Sequence, residues 1–213
     1  MDFRLTEEQT LLRKIIQDFS KNEIAPTAAQ RDQEARFDEA IVRKMAELGV
    51  MGIPWPEKYG GIGADVISFV IATEELSRVC ASIGVTLSAH TLLTSSSIYH
   101  YGTDKQKKTI LKQLATGELL GTLALPELDS GSNIASIGTT AKTDGEFYIL
   151  DGVQRSVLNG GIADVYLVFA KTNARSTNSG ISAFIVDKRT EGFTIGKKEK
   201  KLGVRSTPST ELI

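Results

Sequence analysis

The sequence is short of the residues that build covalent and metal-centred chemistry. It has one cysteine, Cys80, and two histidines in 213 residues. One thiol excludes an intrachain disulfide, which fits a reducing cytoplasm. Cys80 lies in an apolar helical stretch, so a buried, inert thiol is expected. His90 and His100 are ten positions apart and do not form a ligand pair, so no metal site is expected. A formal net charge of −1 leaves no electrostatic footprint for nucleic acid or an acidic membrane. No apolar run approaches the roughly 18–20 residues of a membrane span. The N-terminus, MDFRLTEEQTLLRKII, lacks the uninterrupted apolar core and small-residue cleavage site of a signal peptide. Five prolines and 19 glycines without a period exclude collagen-like or low-complexity character.

What remains has ordinary soluble composition, 41% hydrophobic and 24% charged, and two distinct periodicities. The first half reads as helices. Thr6 with Gln9 makes a capping box, followed by an apolar stripe of Leu11, Leu12, Ile15, Ile16 and Phe19. A short helix is expected over Pro26 to Arg36. Asp38 caps a third helix, with Ile41, Val42, Met45 and Leu48 inward and Gly49 as its stop. A loop from Pro54 to Gly63 leads to two longer helices, about Asp65–Arg78 and Ser82–Tyr101. Thr103 with Gln106 repeats the capping box and opens a helix to about Leu114.

Beyond Gly117 the period changes. Phe147–Leu150, Val165–Ala170 and Ile181–Val186 are short, β-rich runs bounded by Gly, Asp or Asn. Helices followed by strands define an α+β class: an all-α helical domain over 1–116, then a middle β-sheet domain over 117–213. Thr210 to Ile213 reads as the start of another strand. A strand left half-made implies a truncated domain, or a partner that completes the sheet.

The order of these pieces resembles the acyl-CoA dehydrogenase family. LTEEQTLLRKIIQDFSKNEIAP is similar to that family's first helix and the proline after it. ELGVMGIPWPEKYGGIG resembles its loop between early helices, and Tyr101 to Lys107 the turn that opens a later one. The family's flavin and substrate motif (Thr or Ser, Glu, Pro, two variable residues, Gly, Ser or Thr, Asp) aligns without a gap on Pro126 to Asn133. Glu127, Gly131 and Ser132 match it. The resemblance implies that the glycine lets main-chain amides approach flavin pyrophosphate and bound CoA, with the hydroxyl donating to anionic oxygens. Read alone, Asp129-Ser130-Gly131-Ser132 is a polar turn.

The resemblance implies FAD beside Leu125, Glu127, Gly131, Ser132, Ser156 and Leu158, and acyl-CoA beside Ser132, His90, Thr91 and Thr94. For each of the last three taken alone, ordinary packing is the plainer expectation. Three flavin contacts are changed. The hydroxyl that bonds the flavin ring is replaced by Pro126, which has neither hydroxyl nor N–H. The aromatic that stacks on the ring is replaced by Ser156, and the hydroxyl near flavin N5 by Leu158. FAD binding is therefore expected to be weakened or lost while the fold survives. Arg205 reads equally as a surface charge or a ligand-side group. Lys197 to Lys201 could attract CoA phosphates, and reads more plainly as an exposed mixed-charge turn.

The family reaction is α,β-dehydrogenation of an acyl-CoA thioester. Its carboxylate base is implied to come from a C-terminal helical domain beyond Ile213, so no catalytic residue is assigned to this chain. The implied partners are acyl-CoA, an electron-transfer flavoprotein if the protein is active, and further copies of itself or a complementing C-terminal chain. An alternative is a non-catalytic relative, acting as a partner subunit or an acyl-CoA-binding protein. An unrelated α+β domain is the weakest reading, because the ordered matches run from Leu5 to Leu212.

Overall fold

The computed structural model describes residues 4–125, 127, 133–173 and 180–213. The chain divides into two compact units, 1–119 with 201–207, and 120–200 with 208–213.

The first unit is helical. Helix α1 (Glu7–Phe19) starts at the Thr6/Gln9 capping box, in which each side chain accepts from the other residue's backbone N–H. A π-helical turn (Ser20–Ile24) leads into α2 (Ala25–Gln33), which carries proline in its first turn. Asp38 caps α3 (Glu39–Glu47) by accepting from Ile41 N–H at 3.3 Å. Asp65 caps α4 (Val66–Val79) by accepting from Ser68 N–H at 2.7 Å. Cys80, in extended conformation, breaks the chain before α5 (Ala81–Ser88). A buried π-helical stretch (Ala89–Ser95) continues α5 into α6 (Ser96–Tyr101). The second capping box opens α7 (Asp104–Gln106), and a π turn (Lys107–Leu111) joins it to α8 (Lys112–Thr116).

The core of this unit holds Ile16, Ile24, Met45, Phe69, Leu76, Leu87 and Leu114. Two of the expected apolar stripes are only partly inward. Ile16 and Phe19 are buried, but Leu11 and Ile15 are 61% and 43% exposed. In α3, Ile41 and Met45 are buried while Leu48 is 43% exposed. Helical spacing marks a face about 100° wide, and only its centre meets α4 and the core. The free thiol of Cys80 is buried, as expected.

The second unit holds two sheets. Strand β5 (Val165–Lys171) is central to the first. It pairs in parallel with β1 (Gly121–Ala124) and antiparallel with β6 (Ile181–Asp187). At its far end Lys171 meets Thr140 of β2 (Thr140–Asp144), which forms a hairpin with β3 (Phe147–Asp151). Val165 to Val168 are all buried, so β5 shows no alternation, as befits a strand covered on both faces. The second sheet has the order β4 (Gln154–Leu158), β8 (Ser209–Leu212), β7 (Ile195–Lys198).

The strand expected from Thr210 is β8, the middle strand of that sheet, paired on both sides. Ala124, Val157, Ala163, Tyr166, Val168, Val186 and Leu212 form the core of the unit. The segment 201–207 packs with the helices rather than with the strands around it in sequence. Thr207 donates to the Ser82 carbonyl at 2.6 Å, and Asp32 accepts the Arg205 backbone N–H at 2.8 Å.

Candidate functional site

The residues assigned to the flavin fall in the β unit. Leu125 lies just after β1 and is half-buried. Pro126, Gly131 and Ser132 lie outside the described residues. Glu127 is held by a dense set of donors. Its Oε1 accepts Thr139 N–H at 2.8 Å and the Gln154 side-chain amide at 3.1 Å, and also accepts the Thr139 hydroxyl. Its Oε2 accepts Gly138 N–H. Gln154 also donates to the Thr139 hydroxyl at 2.8 Å, and both residues are buried. Two consecutive backbone N–H groups aimed at one carboxylate make an anion nest. The nest ties the chain after β1 to the start of β2 and to β4.

Ser156 sits on β4 where the pairing with β8 shifts register between Gln154 and Val157. Its φ is +54°, a left-handed conformation that few residues other than glycine adopt. Its hydroxyl donates to Glu199 Oε1 at 2.6 Å. Leu158, two residues on, is half-buried. Its carbonyl accepts the Thr122 hydroxyl from β1.

Donor chemistry decides the fit of these positions to a flavin ring. Ser156 brings no ring to stack, and its one hydroxyl is spent on a carboxylate. Leu158 has no side-chain donor. The described side chains that the resemblance places against the ring therefore do not fit it, and no step of a flavin reaction is assigned to them. Sequence reasoning missed Glu199 because the register shift that brings it to Ser156 leaves no mark in the residue pattern.

Of the residues assigned to acyl-CoA, Ser132 lies outside the described residues, and the other three fall in the helical unit. His90, Thr91 and Thr94 are fully buried on the π-helical stretch. His90 Nε2 lies 3.0 Å from the Leu114 carbonyl. Burial holds its pKa down, to about 4, and that short contact with a carbonyl opposes the shift. A neutral ring with its proton on Nε2 is the form that donates there. The Thr91 hydroxyl donates to Met51 O at 3.2 Å, and Thr94 to Ala89 O at 3.2 Å. All three side chains thus serve backbone groups of their own unit. Arg205 is likewise engaged. Its guanidinium holds Asp32 at 2.8 and 2.7 Å, and Arg205 keeps the Asp32 carboxyl below its usual range. Lys201 donates to the carbonyls of Val204 and Thr207, so it stands apart from its exposed lysine neighbours.

A helical unit and, among the described residues, a two-sheet β unit whose strands are tied by the Glu127 carboxylate define an α+β protein of the acyl-CoA dehydrogenase type. Family models agree over nearly the whole chain. The acyl-CoA dehydrogenase N-terminal domain matches residues 6–118, and the acyl-CoA dehydrogenase middle domain matches 122–213. The chain belongs to the acyl-CoA dehydrogenase family.

It is 46% identical over 213 residues to a short-chain-specific acyl-CoA dehydrogenase of Clostridium acetobutylicum, covering all of this chain and 56% of that relative. The butyryl-CoA dehydrogenase structure from Megasphaera elsdenii superposes with a TM-score of 0.97 at 38% identity, covering 100% of this chain and 57% of that one. A chain in the structure described as "Electron transferring flavoprotein of Acidaminococcus fermentans: Towards a mechanism of flavin-based electron bifurcation" gives a TM-score of 0.98 at 41% identity, with 100% and 56% covered. The chain thus spans little more than half the length of these proteins.

Proposed function

We propose that the protein handles acyl-CoA thioesters within the α,β-dehydrogenation chemistry of its family, and that this chain does not turn over acyl-CoA by itself. The observation that carries the reading is the match of both family models, end to end and in family order. A helical domain over 1–116 and a middle domain over 117–213 are the division of labour in this proposal. FAD is the hydride acceptor of the family, with weak or absent binding to this chain. An electron-transfer flavoprotein takes the electrons in an active assembly. A homo-oligomer or a complementing C-terminal chain, in the cytoplasm, completes the picture. No residue here is given the role of the α-proton base.

A second reading is favoured by one contact, the Ser156–Glu199 hydrogen bond at a position assigned to ring stacking. In that reading the protein is a non-catalytic relative, a partner subunit or an acyl-CoA-binding protein. Visible absorbance of the purified chain, before and after adding FAD and desalting, tests the two. A stoichiometric flavin band supports the dehydrogenase reading, and a folded, colourless protein points to the relative or to a flavin site that a complementing C-terminal chain completes. Dye reduction by this chain alone on acyl-CoA would overturn the proposal that it is inactive by itself.

A further inference from the structure

The contact between Ser156 and Glu199 does more than leave a ring without a partner. Ser156 is exposed, stands at the register shift of β4, and has its side-chain direction set by a φ of +54°. Its Oγ is 2.6 Å from Glu199 Oε1. The backbone of Glu199 is itself held, because its N–H donates to the Ser209 carbonyl of β8 at 2.9 Å. An aromatic side chain keeping the Ser156 rotamer would put its Cγ where Oγ now lies. A carbon there would sit 2.6 Å from a carboxylate oxygen, well inside the ordinary contact distance. The carboxylate therefore fills the space next to Cβ into which a ring at 156 would extend.

Two residues further along β4, Leu158 presents an apolar side chain, and its carbonyl is held by Thr122. The two changes are independent in chemistry: one swaps a ring for an ion-bonded hydroxyl, the other swaps a hydroxyl for a hydrocarbon. They share a strand and point to one outcome. The backbone around them is kept by packing that needs no cofactor. A Cβ on Gly160 would lie 2.2 Å from Thr210 Oγ1, and one on Gly152 2.4 Å from Thr139 Oγ1, so these glycines serve the fold.

We infer that Ser156, Leu158 and Glu199 together form a determinant that excludes flavin from this chain, with the Glu199 carboxylate standing in the place of the stacking ring. The inference rests on the second reading above, and it names the residues that enforce it.

The test is equilibrium titration of FAD on the whole chain and on three variants: S156W/L158T, the same pair with E199A, and L158T alone. Circular dichroism confirms folding, and butyryl-CoA binding is followed by calorimetry on each protein. The native chain is expected to retain no FAD on desalting. S156W/L158T should gain about ten-fold or more in FAD affinity, and adding E199A should raise it further by freeing the space beside the ring. Stoichiometric FAD on the native chain overturns the inference whichever variants fold. Equal FAD affinity across the folded proteins, tight or undetectable, overturns it as well. Absence of butyryl-CoA binding in every form would instead count against the acyl-CoA reading, and leaves the FAD comparison standing.

Discussion

The carboxylate of Glu127 accepts both the backbone N–H and the side-chain hydroxyl of Thr139. With Gly138 N–H and the Gln154 amide on the same carboxylate, Glu127 is a tie between β1, β2 and β4. Glu127→Gln keeps the shape but turns an NH2 group toward donors that need an acceptor. The expected loss is about 1–3 kcal/mol from the β unit, the range for hydrogen bonds to a charged group. Faster amide exchange at Gly138 and Thr139, with unchanged exchange in the helical unit, is the signature. Unaltered protection at both amides would remove Glu127 from this role.

Much of the helical unit is legible in the residue pattern, because its signals are local. Thr6/Gln9 and Thr103/Gln106 mark their helices by a three-residue spacing alone, and Asp38 caps its helix within the same reach. The strand runs 147–150, 165–170 and 181–186 fall within β3, β5 and β6. What the sequence could not reveal is set by long-range pairing. The burial of Thr210 in a middle strand depends on β4 and β7, and neither partner is near it in sequence. Leu11 and Ile15 read as core because periodicity marks a face without saying how much of it is covered. Of the candidate site, Glu127 was singled out by its motif, for the flavin rather than for the tie it forms. Its donors and Glu199 were not, because each contact crosses from one strand to another.

The pH dependence of stability has a window of its own. His90 is buried with its pKa lowered from 6.5 to about 4. Between those values the unfolded chain takes up a proton that the folded one refuses. Stability from this group is therefore full above pH 6.5 and falls as the pH drops toward 4. The loss is at most roughly 3 kcal/mol, since the interval between the two values counts about 1.36 kcal/mol per pH unit. Asp32 and Asp65 have lowered pKa values, and Asp187 lies at about 2, so the stability these carboxylates contribute is full above their ordinary value of 3.8 and is lost only as the pH falls below it. Urea unfolding of His90→Gln across pH 4–7 should lack the slope between 6.5 and 4. A parallel curve for the native and variant proteins would assign that slope to other groups.

Gly117 ends α8 with a φ of +74° and an N–H that donates to Leu114 O at 3.0 Å. A Cβ there would lie 2.3 Å from Ala46 Cβ on α3. Gly117→Ala meets both a left-handed backbone and a packed neighbour, and should cost about 2 kcal/mol or more. Ala46→Gly relieves only the second and itself costs about 0.5–1 kcal/mol inside α3, so the step from Ala46→Gly alone to the double variant should cost less than Gly117→Ala does in the native protein, measured by thermal unfolding. No cost for that step would show that the backbone conformation carries none; an undiminished cost would show that the contact with Ala46 carries none.

Thr207 tests the tie between the late segment and the helices. It is fully buried, donates to the Ser82 carbonyl at 2.6 Å, and lies 3.1 Å from the Thr86 hydroxyl. Thr207→Val preserves shape but removes one donor from the Ser82 carbonyl and takes a partner from a buried hydroxyl, at about 1–3 kcal/mol. Thr207→Ser keeps the hydroxyl and loses only a methyl, so it should stand closer to the native protein. If the hydroxyl is what fastens 201–207, Thr207→Val should speed amide exchange at Arg205, whose N–H is bonded to Asp32 at 2.8 Å, more than Thr207→Ser does. The reverse order would mean that the methyl, and therefore packing, holds the segment in place.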